Sequence, residues 1–172
     1  MKDLCLALLW LYVRIDSLLI LYKKNWYTII IVLLQDKNKE QKKMFSIVFP
    51  GQGSQKIGMV KEFYEKYDLV KKLFKDADAI LNVPITKIIF EGPEIKLNST
   101  ENTQPAIFLA SYCIFEIIKK EFGYDFKKFK YFAGHSLGEY SALACVGSIS
   151  FEDTLKILQK RGKFMQEAVP SG

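Results

Sequence analysis

From residue 44 onward the apolar positions follow two rhythms, short unbroken runs and helical recurrences, and their alternation predicts an α/β chain. Phe45 to Phe49 (FSIVF) is a run stopped by Pro50-Gly51, which predicts a buried strand that ends in a tight loop. Leu69, Val70, Leu73, Phe74, Ala77, Ile80 and Leu81 then recur at helical spacing, with Lys71, Lys72, Lys75, Asp76 and Asp78 filling the other face. Ile85 to Glu101 yields no single element, because Gly92-Pro93 interrupts it and Asn98 to Asn102 reads as turn material. Gln104-Pro105 predicts the start of the next helix, with Pro in its first turn. Ile107, Ala110, Ile114, Ile117, Ile118 and Phe122 carry that helix to Gly123, and the extra Phe108, Leu109 and Phe115 predict burial on more than one side. Lys130 to Ala133 reads as a second strand, Gly134 to Gly138 as a sharp turn and Leu137 to Val146 as a helix. Ser150 caps a last helix with Asp153 at its N3 position.

The first 43 residues follow neither rhythm, so two units are expected: 1–43 as an apolar extension and charged linker outside the fold, and 44–172 as the folded part. Leu4 to Tyr22 contains only Arg14, Asp16 and Ser17 among apolar residues, but a mid-run charge costs about 2.5–3.5 kcal/mol at bilayer depth, which argues against a stable span. Trp26 to Leu34 is too short to cross. Asp3 and the lack of a small-residue cleavage site argue against a secretory signal. A start codon placed too early is the first reading of this segment. A membrane-surface or targeting segment is the second, and a transmembrane anchor the third.

Composition narrows the function classes. The 172 residues are 49% hydrophobic and 26% charged, which fits a soluble domain. The +6 charge lies mostly before Met44, where 8 Lys and Arg face 4 Asp and Glu; after it 17 face 15. No nucleic-acid partner is therefore expected. Cys5, Cys113 and Cys145 are far apart, and one histidine leaves no ligand set, so a reduced cytoplasmic protein without a metal is the expectation. For a eukaryotic source that location becomes an organellar stroma or matrix.

One turn carries candidate chemistry. Gly134-His135-Ser136-Leu137-Gly138 is G-x-S-x-G between a predicted strand and a predicted helix, the context of a nucleophile elbow. The glycines give close approach of strand to helix and push the Ser136 hydroxyl out over the sheet, while the Leu137 N–H is placed to donate to an oxyanion. His135 is the only histidine, but successive side chains at a sharp turn diverge, so it is expected to be a structural hydrogen-bonding group under the elbow rather than the base. Arg161 has Ile157, Leu158, Phe164 and Met165 as helical neighbours, which puts a guanidinium on a packed or cleft side, whereas Lys160 looks solvated. A bound carboxylate, an internal salt bridge or a stem reaching water would each satisfy it. The loop Gly51-Gln52-Gly53-Ser54-Gln55 lacks the register of a phosphate-binding loop, and a second oxyanion donor is its more economical role.

Taken together, F-P-G-Q-G-S-Q (Phe49 to Gln55), T-Q-P-A (Thr103 to Ala106), G-H-S-L-G-E-Y-S-A-L (Gly134 to Leu143) and Q-K-R-G (Gln159 to Gly162) closely resemble the malonyl-CoA:acyl carrier protein transacylase family of fatty acid synthesis. The resemblance implies an incomplete hydrolase-like acyltransferase core, a parallel sheet flanked by helices, that ends near the start of a ferredoxin-like subdomain. It implies a Ser136 nucleophile, oxyanion donation by the Gln52 and Leu137 N–H groups, and binding of the malonyl carboxylate by Arg161. Malonyl-CoA and acyl carrier protein would be the partners, with phosphopantetheine carried by the latter, no cofactor bound by the protein itself, and a monomer at full length. The family's base histidine lies downstream of Q-x-R-G, so this chain alone is expected to be inactive. A serine esterase and a non-catalytic membrane-associated fragment are the alternatives; membrane contact through residues 1–43 is the lesser expectation.

Overall fold

The computed structural model describes residues 30–34, 44–121, 126 and 129–169. Among these residues, three strands, β1 (Ile30–Leu34), β2 (Met44–Phe49) and β3 (Phe129–Gly134), form one sheet in that order. Strands β2 (Met44–Phe49) and β3 (Phe129–Gly134) are parallel, with Phe49 opposite Gly134 and a register shift between Phe45 and Ser46. The pairing brings the Pro50-Gly51 loop and the G-x-S-x-G turn out at the same end of the sheet, where parallel α/β sheets assemble their sites. The sequence sets residues 1–43 apart from the fold; five of them, Ile30–Leu34, form β1, antiparallel to β2. The run Leu4 to Tyr22 lies outside the described residues, and no helix among those described is long and apolar enough to cross a membrane.

Between β2 and β3 run α1 (Lys61–Lys66), α2 (Asp68–Leu81), α3 (Ile85–Glu91), α4 (Glu94–Asn98) and α5 (Thr100–Glu121). Helix α2 buries Val70, Phe74, Ala77 and Leu81, as its periodicity predicts. The ambiguous stretch from Ile85 resolves into two short helices broken at Gly92-Pro93. Two expectations need correcting. Helix α5 begins at Thr100 rather than Gln104, so Asn98 to Asn102 is not turn material and Pro105 lies inside the helix, beyond its first turn. Pro105 removes the N–H that would bond the Glu101 carbonyl, while the start of the helix is tied by Thr103 Oγ1, whose one proton is shared between the Leu97 carbonyl at 2.6 Å and the Ser99 carbonyl at 3.0 Å.

Every residue from Thr103 to Ser111 is buried, so α5 is the central post that α2, α4 and the last two helices pack around. Those two are α6 (Leu137–Cys145) and α7 (Phe151–Ala168). The predicted cap of α7 is present: Ser150 Oγ accepts from the Asp153 N–H at 2.9 Å and donates to Asp153 Oδ2 at 2.6 Å. A second cluster of Ile47, Phe49, Phe115, Phe129 and Ala142 seats the sheet on α5 and α6.

Candidate active site

The elbow is built by steric necessity. Ser136 has φ 57° and ψ −113°, a backbone region that suits glycine and strains any residue with a Cβ. A Cβ on Gly134 would lie 2.0 Å from the Gly138 carbonyl carbon, and one on Gly138 would lie 2.5 Å from the Phe49 carbonyl oxygen. Only glycines let β3 turn straight into α6 beside the end of β2, and the His135 N–H closes the corner by donating to the Phe49 carbonyl at 3.3 Å. The serine is thereby left at the N-terminus of α6. Among the described residues, the Leu137 and Gln52 N–H groups take part in none of the loop or turn backbone hydrogen bonds.

Arg161 reaches this corner from α7. Its Nη2 donates to Ser136 Oγ at 3.1 Å and its Nη1 to Gln104 Oε1 at 2.6 Å, while the guanidinium carbon stands 5.8 Å from the centre of the Tyr140 ring. Both hydrogen-bond partners are neutral, and among the described residues no salt bridge satisfies the cation. The position depends on Gly162, where a Cβ would come within 2.4 Å of the Thr100 carbonyl oxygen; without one, α7 lies directly on the first turn of α5. Gln104, fully buried, projects from the next turn. Its Nε2 donates to Met165 Sδ at 3.3 Å, so both ends of the amide are used.

One predicted placement is narrowed and one changes. Of the four apolar neighbours of Arg161 only Leu158 is buried; Ile157, Phe164 and Met165 are exposed, so of the packed or cleft side expected for the arginine it is the cleft that it faces. The buried stripe of α7 is Thr154, Leu155, Leu158 and Gly162. His135 is exposed, not under the elbow, and its side chain makes no hydrogen bond among the described residues. Its ring lies where a Gly51 Cβ would meet Nδ1 at 2.6 Å, which ties the first loop to the elbow by contact alone. Among the described residues the side-chain hydrogen bond to Ser136 Oγ comes from Arg161.

The Gln52 loop is fastened to the same helices. Gln52 Nε2 donates to Thr100 Oγ1 at 3.5 Å, Gln55 Nε2 to Asn98 Oδ1 at 2.9 Å and Ser54 Oγ to the Gly51 carbonyl at 2.9 Å. The sequence reading gave no role to Gln104 or Tyr140. The available signal for Gln104 was an amide flanked by residues of an apolar helix buried on several sides, a setting that obliges it to find polar partners.

A serine in strained elbow geometry, touched by an arginine at the mouth of a cleft, matches acyl transfer, and the comparisons with known proteins agree. The acyl transferase domain family matches residues 46–172. The chain belongs to this family. It is 45% identical over 128 residues to the malonyl CoA-acyl carrier protein transacylase of Salmonella typhimurium, a match covering 74% of this chain and 40% of the relative. Identity to the Bacillus subtilis protein of the same name is 47% over 128 residues, covering 74% and 39%. The solved malonyl CoA-acyl carrier protein transacylase of Coxiella burnetii superposes with TM-score 0.70 at 42% identity, covering 74% of this chain and 39% of that one. A structure of type II PKS acyl-carrier protein in complex with its malonyl-transacylase gives TM-score 0.69 at 42% identity, with coverages of 74% and 40%. The chain thus spans about two fifths of the length of these acyltransferase relatives.

Proposed function

We propose that this chain carries the nucleophile and the acid-recognition half of an S-malonyltransferase, moving a malonyl group from malonyl-CoA to the phosphopantetheine thiol of acyl carrier protein. The observation that carries this reading is the guanidinium held between Gln104 and Ser136 Oγ. Oγ gives up its proton as it attacks the thioester carbonyl, the C–S bond breaks, and that proton ends on the departing coenzyme A thiolate; the carrier thiol then attacks the Ser136 ester carbonyl and its proton ends on Oγ as the C–O bond breaks. Oxyanion donation is assigned to the Leu137 and Gln52 N–H groups, which have no competing backbone acceptor in the loop or turn.

Arg161 selects the acyl group. Malonyl has its free carboxylate one methylene from the reacting carbonyl, so an ester on Ser136 keeps that carboxylate near a guanidinium whose Nη2 is already 3.1 Å from Oγ. The planar fork can take it through two charge-assisted bonds in exchange for one neutral hydroxyl contact. An acetyl group leaves the cation without that partner. The protein binds no cofactor of its own in this scheme, since phosphopantetheine arrives on the carrier, and the location is the cytoplasm. Ser136 also needs a proton acceptor, and among the described residues the exposed His135 makes no side-chain hydrogen bond to it.

The test is acyl loading read by mass spectrometry of the acid-quenched Ser136 peptide, with malonyl-CoA or acetyl-CoA as donor and with the chain fused to the portion of the Salmonella typhimurium relative outside the matched 128 residues, because the chain alone is expected to be inactive. Malonyl loading on Ser136, and loss of the malonyl-over-acetyl preference in Arg161→Ala without recovery in Arg161→Lys, are the expected results. An unchanged preference in Arg161→Ala, or an ester on a different residue, would overturn the assignment.

A further inference from the structure

The loop that carries the Gln52 N–H is held by its own side chains at both of the peptides that meet at Gln52. Ser54 Oγ donates to the Gly51 carbonyl at 2.9 Å. Gln55 Oε1 accepts from the Gly53 N–H at 2.8 Å, and Gln55 Nε2 donates at 2.9 Å to Oδ1 of Asn98, the last residue of α4. That second contact requires a donor, so it fixes which end of the Gln55 amide faces Gly53. The loop has need of such ties. Gly51 has no Cβ to restrain rotation of the peptide that follows it, and Gly53 stands at φ 103°, a region that side chains rarely enter. A Cβ on Gly51 would lie 2.9 Å from the His135 carbonyl oxygen, so any such rotation takes place beside the nucleophile.

We propose that Ser54 is a positioning residue for acyl transfer: by holding the Gly51 carbonyl it sets the direction of the Gln52 N–H, while Gln55 holds the next peptide so that the two cannot turn together. The Gly51 carbonyl and the Gln52 N–H belong to one planar trans peptide, in which they point in opposite directions. Fixing the carbonyl on the Ser54 side therefore fixes the N–H on the other. Rotation of this peptide would withdraw the donor and put an acceptor in its place, which a developing oxyanion repels. The Ser54 hydroxyl also polarises the peptide whose carbonyl it bonds, and this makes the N–H a stronger donor. Neither effect requires Ser54 to touch the acyl group. The inference rests on the assignment of the Gln52 N–H as an oxyanion donor, and removing that N–H tests the assignment separately.

The experiment measures the rate of malonyl and acetyl loading on Ser136 in the same fusion with the Salmonella typhimurium portion. Ser54→Ala should lower the maximal rate about 3- to 10-fold, the effect of one net hydrogen bond, and leave the half-saturating malonyl-CoA concentration unchanged. Both donors should lose by the same factor, because the oxyanion is common to them and the Arg161 contact is not. Ser54→Thr, which keeps the hydroxyl, should restore the rate. Replacing the Gly51–Gln52 amide by an ester removes the N–H itself and should cost about 100- to 1,000-fold. A full rate in the ester would overturn the Gln52 assignment and the inference with it. A costly ester beside a full rate in Ser54→Ala would overturn the inference alone, as would a Ser54→Ala loss confined to malonyl, a raised half-saturation, or a loss that persists in Ser54→Thr. A readout independent of activity is NMR of the full chain with carbon-13 at the Gly51 carbonyl. Its resonance should move upfield in Ser54→Ala and return in Ser54→Thr; an unmoved resonance would also overturn the inference.

Discussion

Gly162→Ala separates a helix glycine that is only a weak point from one on which the site depends. In an ordinary helix interior the substitution stabilises by about 1 kcal/mol, because alanine loses less backbone freedom than glycine. Here the new Cβ would stand 2.4 Å from the Thr100 carbonyl oxygen and 2.7 Å from the Glu101 Cα, against ordinary contact from 3.4 Å. These neighbours are backbone atoms of the first turn of α5 and cannot swing aside. Helix α7 must retreat by about 1 Å, and overpacking of this kind costs about 1–3 kcal/mol. Set against the propensity gain, the net is a destabilisation of about 1 kcal/mol, or roughly 3–4 °C in melting temperature for a chain of this size. The same retreat stretches the 2.6 Å and 3.1 Å bonds from Arg161 to Gln104 and Ser136 beyond hydrogen-bond reach. Misplacement by about 1 Å can cost 100-fold in rate, so Ser136 malonylation should fall far more than stability does. Urea unfolding followed by circular dichroism gives the first quantity and acyl loading the second. A midpoint that rises in Gly162→Ala would refute the close helix crossing and with it the explanation of where Arg161 sits.

Ser136→Gly removes the nucleophile but relieves a non-glycine residue at φ 57°, so it should raise stability by about 1 kcal/mol while abolishing the ester; a lower urea midpoint would contradict the strain. Gln104→Leu should cost about 1–2 kcal/mol, less than a fully buried charged hydrogen bond because Arg161 is only half-buried. Gln104→Glu should occupy the guanidinium with a resident carboxylate and reduce the malonyl-over-acetyl preference; an undiminished preference would show that Gln104 does not govern Arg161. Burial holds the Tyr112 hydroxyl up at about 12 and pushes the Cys113 and Cys145 thiols above the cysteine range. These groups ionise first in the unfolded chain, so the stability they permit is intact below about pH 8 and declines as pH rises. The urea midpoint should therefore be lower at about pH 10 than at about pH 8, and equal midpoints would count against the buried placement.

Local order was written into the chain wherever a short window holds all the determinants. The FSIVF run, the α2 periodicity, the Ser150 cap and the glycines around Ser136 each predict their own conformation because the interacting atoms lie within a few residues. Prediction failed where a distant element intervened. Helix α5 starts four residues before Gln104 because Thr103 fastens its first turn to the end of α4, a contact between elements that the turn-like composition of Asn98 to Asn102 conceals. His135 was assigned a place under the elbow, but Gly51 of the neighbouring loop brings that loop against an exposed ring.

By itself, then, the sequence determined the α/β alternation, the elbow and the presence of an arginine among apolar neighbours. Only the tertiary structure decided what that arginine touches. Gln104 and Ser136 lie 57 and 25 residues away from it along the chain, and no periodicity links positions so far apart. Their meeting is set by how closely α7 can lie on α5, which the missing Cβ of Gly162 permits, and by the corner that the Gly134 and Gly138 contacts force on β3. The same packing decides which apolar face of α7 is buried and which is left open. Helical spacing says only that residues share a side; whether that side is covered depends on the body placed against it.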